Sequence, residues 1–100
     1  MGFKITRNKG FHIDLPNGWT VSVQFGAGNY SSNRNAEFDA EKNADVWKSK
    51  TAEIACFPTE KGGEWYSFGD DEVKGLVTST EFMEWLEVFK ELPSPVEVGN

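Results

Sequence analysis

The segment from Phe11 to Phe25 constrains the fold most, because apolar and polar residues alternate on both sides of Pro16-Asn17-Gly18. Alternation with a period of two is typical of strands that bury one face. Proline presets φ at the first turn position, and asparagine and glycine tolerate the positive φ on which a three-residue hairpin loop ends. Because a slip of one residue would exchange the two faces, the register is well determined. The segment therefore predicts a β-hairpin.

Other segments also have the pattern of short strands. They are Phe3–Thr6, Thr51–Phe57, Glu64–Phe68 and Val73–Val77, and Val46 and Trp47 are compatible with the start of another. All but one of the connections between strands are short turns, and short turns make neighbours antiparallel, since a parallel pair needs a crossover of a dozen or more residues. In the strand Glu64–Phe68, Trp65 and Tyr66 would point to opposite faces of the sheet, so one of them would lie outside a helix-covered core.

One helix is predicted near the C-terminus. Thr78 and Glu81 have the spacing of a capping box at the start of this helix. Pro93 cannot continue a helix, so the helix is expected to end before it. Aromatic and aliphatic residues recur at i, i+3, i+4 and i+7 and form one apolar stripe. The stripe consists of Phe82, Trp85, Leu86 and Phe89.

These elements predict an α+β fold, an antiparallel β-meander of about five strands with one C-terminal α-helix packed on one face. We expect a single domain over residues 1–92 and a flexible C-terminal tail over residues 93–100. The aromatic share of 14% argues against disorder, because aromatic side chains bury the most area per residue.

The net charge of −6 limits the classes of partner. Nucleic acids and anionic membranes bind proteins with an excess of Lys and Arg, so we expect neither as a partner. An acidic chain suits a basic protein partner, or the charge serves only solubility.

Cys56 is the single cysteine, which favours a reducing compartment. No apolar run has the length of a signal peptide or membrane span, so we expect a cytoplasmic protein.

The best candidate ligand site is the small, polar segment that leaves the end of the hairpin, part of a long connection over residues 26–44. Small residues present backbone N–H groups, and the polar side chains add donors, a combination that suits a phosphorylated or nucleotide-like ligand. Neither a dinucleotide fingerprint nor a P-loop is present, and the alternative is a loop whose Asn and Ser residues satisfy their own backbone. The candidate residues are Gly26, Gly28, Asn29, Tyr30, Ser31, Ser32, Asn33 and Arg34.

No catalytic or metal-binding constellation stands out. His12 and Asp14 share the polar face of one strand, so a paired general base is conceivable, but a lone histidine there is more often polar surface. One Cys and one His do not make a zinc site, and Cys56 reads as a core residue. We expect no enzyme activity, no metal and no cofactor.

A protein-binding surface is the other candidate site. Exposed aromatic residues anchor protein interfaces, and clustered carboxylates present a negative patch to a basic partner; the alternative is a solvated acidic face. The candidate residues are Trp65, Tyr66, Asp70, Asp71, Glu84 and Glu87.

The segment Gly10–Asn33, together with Ala52–Ala55 and Trp65–Phe68, resembles a group of short proteins encoded by phages and prophages. The resemblance covers about two-thirds of the chain. It implies an accessory phage protein in a bacterial host cytoplasm and assigns no functional residue. The sequence thus favours a non-enzymatic protein that binds a host or phage protein to modulate host function, and the alternative is a binder of a phosphorylated or nucleotide-like ligand.

Overall fold

The computed structural model describes residues 2–6, 10–25 and 49–95. Within these ranges the chain forms one antiparallel sheet of five strands, in the order β1-β2-β3-β4-β5, followed by one helix. The elements are β1 (Phe3–Ile5), β2 (Gly10–Asp14), β3 (Trp19–Gln24), β4 (Thr51–Pro58), β5 (Lys74–Thr78) and α1 (Ser79–Lys90). The α+β meander with one C-terminal helix is confirmed. Val46 and Trp47 lie outside the described residues.

The hairpin has the register that its alternation predicts. Ile13 lies opposite Val21, and Val21 lies opposite Cys56 on the next strand. We call the side of the sheet that carries these residues and packs against α1 the covered face, and the other side the open face. The open face carries Lys4, His12, Asp14, Thr20, Ser22, Gln24, Glu53, Ala55 and Phe57.

The core lies between the covered face and α1. Phe89 is fully buried, and its ring centroid lies 5.4 Å from that of Tyr66, 6.1 Å from that of Phe68 and 5.9 Å from that of Trp85. The sheet contributes the fully buried residues Val21, Ile54, Cys56 and Val77. The predicted apolar stripe of the helix is therefore confirmed as its inner side.

The helix begins with the predicted capping box. The backbone N–H of Glu81 donates to Oγ1 of Thr78 at 3.2 Å, and the backbone N–H of Thr78 donates to Oε1 of Glu81 at 3.0 Å. The backbone N–H and the hydroxyl of Thr78 both donate to the Glu81 carboxylate, and they hold the pKa of Glu81 below its ordinary value. The cap satisfies backbone groups that have no partner within the helix.

The helix ends against the turn of the β2–β3 hairpin. Nδ2 of Asn17 donates to the carbonyl oxygens of Phe89 at 2.9 Å, Lys90 at 3.3 Å and Leu92 at 3.1 Å. Nε1 of Trp19 donates to the carbonyl oxygen of Pro93 at 2.8 Å. The turn thus supplies the donors that the last carbonyl groups of a helix lack, and it fixes the helix over the sheet.

One predicted strand is wrong. Residues 64–68 form no strand, and β5 lies beside the first half of β4 instead, with Ala52 opposite Val77. Gly69 adopts φ +114°, and the Asp71 carboxylate accepts backbone hydrogen bonds from the next two residues. This turn separates residues 64–68, which lie beside Cys56 in the second half of β4, from β5 beside the first half. Further along, Leu76 has φ +53° next to a register shift in the β4–β5 pair.

Candidate functional site

An aromatic patch occupies the open face, and it consists of His12, Phe57 and Trp65. The ring centroids of Phe57 and Trp65 are 4.9 Å apart in a tilted stack, and His12 contacts Phe57 edge-on at 5.4 Å. Trp65 remains 44% exposed. The three rings therefore form a continuous apolar ridge across the outside of the sheet.

Backbone contacts with β4 hold Trp65 over Phe57. The backbone N–H of Tyr66 donates to the carbonyl oxygen of Cys56 at 2.8 Å, which places residues 65 and 57 side by side. A Cβ on Gly63 would lie 2.5 Å from Cγ of Pro58, so the close return of the chain after β4 requires glycine there. The position of Trp65 is thus set by the backbone and by ring stacking together.

Hydrogen-bonded small residues lie under the patch. Thr20, which is only 4% exposed, donates from Oγ1 to Oδ1 of Asp14 at 2.8 Å. Its hydroxyl is also 2.7 Å from Oγ1 of Thr59, which therefore acts as the donor in that contact. Ser22 is buried beside Thr20 and accepts from Nε2 of Gln24 at 3.1 Å. These bonds satisfy the buried hydroxyl groups and fix their side chains beneath the patch.

The electrostatics of His12 favour the neutral ring. Partial burial lowers the pKa of His12 below its ordinary value of 6.5, and the positive charge of Lys4 lowers it further. The carboxylate of Asp14 acts in the opposite direction without reversing the shift. The neutral form of His12 is therefore favoured, and the ring packs edge-on against Phe57.

The two aromatic residues of the predicted protein-binding site lie on opposite sides of the sheet, as their adjacent positions predict. Trp65 joins the open face, whereas Tyr66 is half-buried on the covered face, with its ring 5.4 Å from that of Phe89 and 6.1 Å from that of Trp85. Of this pair, Trp65 is thus the residue that the structure leaves accessible to a partner.

The predicted acidic residues lie on two other elements. Asp70 and Asp71 are exposed in the turn before β5, where Oδ1 of Asp71 accepts from the backbone N–H of Glu72 at 2.7 Å. Glu84 and Glu87 are exposed on α1, and Oε1 of Glu87 lies 3.2 Å from Nζ of Lys90. The carboxylate of Asp71 is therefore occupied in part by its own turn.

The predicted ligand-binding segment, residues 26–34, lies outside the described residues, and the prediction of a phosphorylated or nucleotide-like ligand there stays a prediction. Among residues 2–6, 10–25 and 49–95, no group of three or more His, Cys, Asp or Glu side chains is placed to hold a metal ion. Burial raises the pKa of the Cys56 thiol to about 12. No helix in these ranges is long and apolar enough to cross a membrane.

Sequence reasoning missed the contribution of Phe57. The alternation that places Ile54 and Cys56 on the covered face also places Phe57 on the open face. The sequence predicted an antiparallel return over Glu64–Phe68, but it did not give the register that brings Trp65 onto this ring. The patch thus depends on a contact between two segments whose pairing had to be seen in the structure.

Comparison with known proteins gives no relative: no family model, no curated protein and no solved structure matches this chain.

Proposed function

We propose that this chain is a non-enzymatic protein-binding module, and that the aromatic patch of His12, Phe57 and Trp65 is its binding surface. The observation that carries the proposal is the exposed Trp65 ring, stacked on Phe57 at 4.9 Å. Tryptophan is among the residues most enriched at the energetic centres of protein interfaces.

The geometry of the patch supports this role because Trp65 is held in place before any partner arrives. Association loses free energy when mobile side chains become fixed, by about 0.5–1.5 kcal/mol for each flexible side chain. Stacking on Phe57 and the backbone bond at Tyr66 reduce that cost for Trp65. A preordered aromatic ring that keeps part of its surface in water is suited to fill a pocket on another protein.

The charge of the chain favours a basic partner. The net charge of −6 attracts a positively charged surface over long range and raises the association rate. In the phage context that the sequence resemblance implies, the partner would be a host or phage protein in the bacterial cytoplasm, and binding would modulate host function. This part of the proposal rests on the resemblance alone.

The test compares Trp65→Ala with Met83→Ala in affinity capture followed by calorimetry. Met83 is also apolar and exposed, but it lies on α1. The wild-type protein is immobilised, captured host proteins are identified, and the affinity of each purified partner is measured for both variants. We expect Trp65→Ala to weaken binding by about 30-fold or more, the size of a hot-spot loss of about 2 kcal/mol, and Met83→Ala to bind as the wild type does.

Circular dichroism and urea denaturation establish that both variants are folded. Equal affinities for the two variants would show that the partner binds elsewhere, and the proposed surface would then be rejected. If the wild type captures no protein but nucleotides or inorganic phosphate raise its melting temperature, the module would be a small-ligand binder instead.

A further inference from the structure

The first strand leaves a set of backbone groups directed away from the sheet. β1 is an edge strand, with β2 as its neighbour in the described sheet. The carbonyl oxygen of Gly2 accepts from the N–H of Asp14 at 2.8 Å, and the N–H of Thr6 donates to the carbonyl oxygen of Gly10 at 3.0 Å. Because an antiparallel strand alternates inward and outward backbone groups, the N–H and C=O groups of Phe3 and Ile5 point outward.

The side chains of the same two residues are far more exposed than is usual for large apolar residues. Phe3 is 83% exposed and Ile5 is 73% exposed, both on the covered face. They continue an apolar stripe whose next members, Phe11 and Ile13, are only half-buried. The principal sheet contacts of α1 are with β3, β4 and β5. The stripe therefore extends past the helix to the β1 edge of the described sheet.

Lys4 gives this edge a charge preference. It lies between Phe3 and Ile5 in sequence, and its side chain belongs to the open face, opposite His12. A residue paired with Lys4 on an added strand would lie beside its ammonium group, where opposite charges stabilise a cross-strand pair and like charges destabilise it. A carboxylate is the complementary group.

The same lysine disfavours a second copy of this chain as the occupant. If Phe3 of one copy paired with Ile5 of another, both outward residues would be used, but the two Lys4 residues would lie directly opposite each other. Their Cα atoms would then be about 4.5 Å apart, as in any pair of this type. Lysine on an edge strand is a known means of preventing edge-to-edge association.

We propose that β1 is a docking edge that accepts an extended segment of a partner protein as an additional antiparallel strand. The recognised segment alternates, with a carboxylate opposite Lys4 and apolar residues on each side of it. The outward N–H and C=O groups of Phe3 and Ile5 bind its backbone, and the exposed side chains of the same residues pack against its apolar residues. This site goes beyond the aromatic patch and uses different residues.

The experiment titrates the isotope-labelled protein with blocked peptides that share the core Thr-Val-X-Val-Thr, where X is Glu, Gln or Lys. We expect saturable NMR shifts at the amides of Phe3 and Ile5, with affinity falling in the order Glu, Gln, Lys. The step between Glu and Gln should be about two- to fivefold, corresponding to a cross-strand charge pair of up to about 1 kcal/mol. Lys4→Glu should reverse the order.

A proline substitution separates the edge from its side chains. Ile5→Pro removes an outward N–H and leaves the bonds between β1 and β2 intact, so it should fold and lose binding. Ile5→Ala keeps the N–H group but truncates the side chain further than proline does, and it should retain saturable binding, which Ile5→Pro loses. Lys4→Pro removes an inward N–H and should lower the stability of the protein as well as its binding. The stability of the two proline variants therefore distinguishes a blocked edge from a damaged sheet.

The results that would overturn the proposal are distinct. Absence of saturable binding by the Glu peptide, an order unaffected by Lys4→Glu, or unchanged binding in Ile5→Pro would each reject it. Sedimentation that shows a dimer abolished by Ile5→Pro would assign the edge to a second copy instead. None of these results depends on Trp65, so this site and the aromatic patch can fail independently.

Discussion

The two faces of the sheet use aromatic residues in different ways. On the covered face, Phe89 is fully buried among Tyr66, Phe68 and Trp85. On the open face, Trp65 stacks on Phe57 and stays 44% exposed above a floor of hydrogen-bonded threonines. On the covered face, half-buried rings surround one fully buried ring and stabilise the fold together with it. On the open face, the Trp65 ring keeps a large part of its surface in contact with water.

The largest expected effect comes from breaking the covered face. Phe89→Ala removes the central ring of the aromatic cluster and leaves a cavity that the sheet and helix can close only in part. We expect the free energy of unfolding to fall by about 3–5 kcal/mol. Urea denaturation followed by tryptophan fluorescence measures it.

Trp65→Ala is the matched truncation on the open face. Because its ring is only partly buried, we expect a loss of about 1 kcal/mol, a typical value for a point substitution. Losses of similar size for Phe89→Ala and Trp65→Ala would contradict the division between the two faces. The Trp65 side chain would then contribute as much to the free energy of unfolding as the Phe89 side chain does.

The next effect tests what holds the helix on the covered face. Asn17→Ala removes the amide group that donates to the carbonyl oxygens of Phe89, Lys90 and Leu92. We expect a loss of about 1–3 kcal/mol, because these carbonyl groups would lose a partner close to the core. Thermal unfolding followed by circular dichroism measures it.

Asn17→Asp is a sharper version of the same test. It keeps a side-chain oxygen but removes the donors, and it places a negative charge next to the negative end of the helix dipole. It should therefore be less stable than Asn17→Ala at pH 7. If Asn17→Asp were as stable as the wild type, the contact between the turn and the helix end would have no energetic importance.

The sequence predicted the covered face better than the open one, for a physical reason. Alternation in the hairpin and the spacing of Phe82, Trp85 and Phe89 are local patterns, and each determines which side of an element is apolar. The contact of Asn17 with the helix end joins residues 72 to 75 positions apart, and no local pattern contains it. The stacking of Trp65 on Phe57 and the exposure of β1 likewise depend on tertiary placement.

The one wrong strand shows the same limit. Residues 64–68 alternate as a strand should, and Tyr66 does bond to Cys56. The alternation nevertheless serves to place Tyr66 and Phe68 against Phe89 rather than to pair a full strand. Period-two patterning identifies an extended segment with one buried side. It does not show whether that segment pairs as a strand: residues 64–68 lie beside the second half of β4, at Cys56, and β5 pairs with the first half of the same edge.

A smaller effect is expected where the helix begins. Thr78→Ala removes the side-chain half of the capping box, and we expect a loss of about 1 kcal/mol. Thr78→Ser keeps a hydroxyl at the N-cap and should lose little. Urea denaturation of the two variants measures the difference. Equal losses in Ala and Ser would mean that the methyl group of Thr78, and not its hydroxyl, contributes the stability.

The smallest effect concerns pH and the open face. The pKa of His12 is lower in the folded protein than its ordinary value of 6.5, so the unfolded chain binds more protons in the interval between the two values. The free energy of unfolding must then rise with pH across that interval. The contribution of His12 to stability is therefore fully present above pH 6.5 and is lost as the pH falls through the interval. Urea denaturation of the wild type and of His12→Gln, measured from pH 7 downwards, isolates this contribution.

The sign of the difference identifies its cause. Glu81 has a lowered pKa too, but its contribution is lost only below about pH 4.5 and is the same in both proteins, so it cancels. In His12→Gln the slope between the two His12 values should disappear. A slope of opposite sign in the wild type would mean that Asp14, and not burial and Lys4, dominates the environment of His12. The aromatic patch would then carry a positive charge at mildly acidic pH and repel the basic partner that we propose for it.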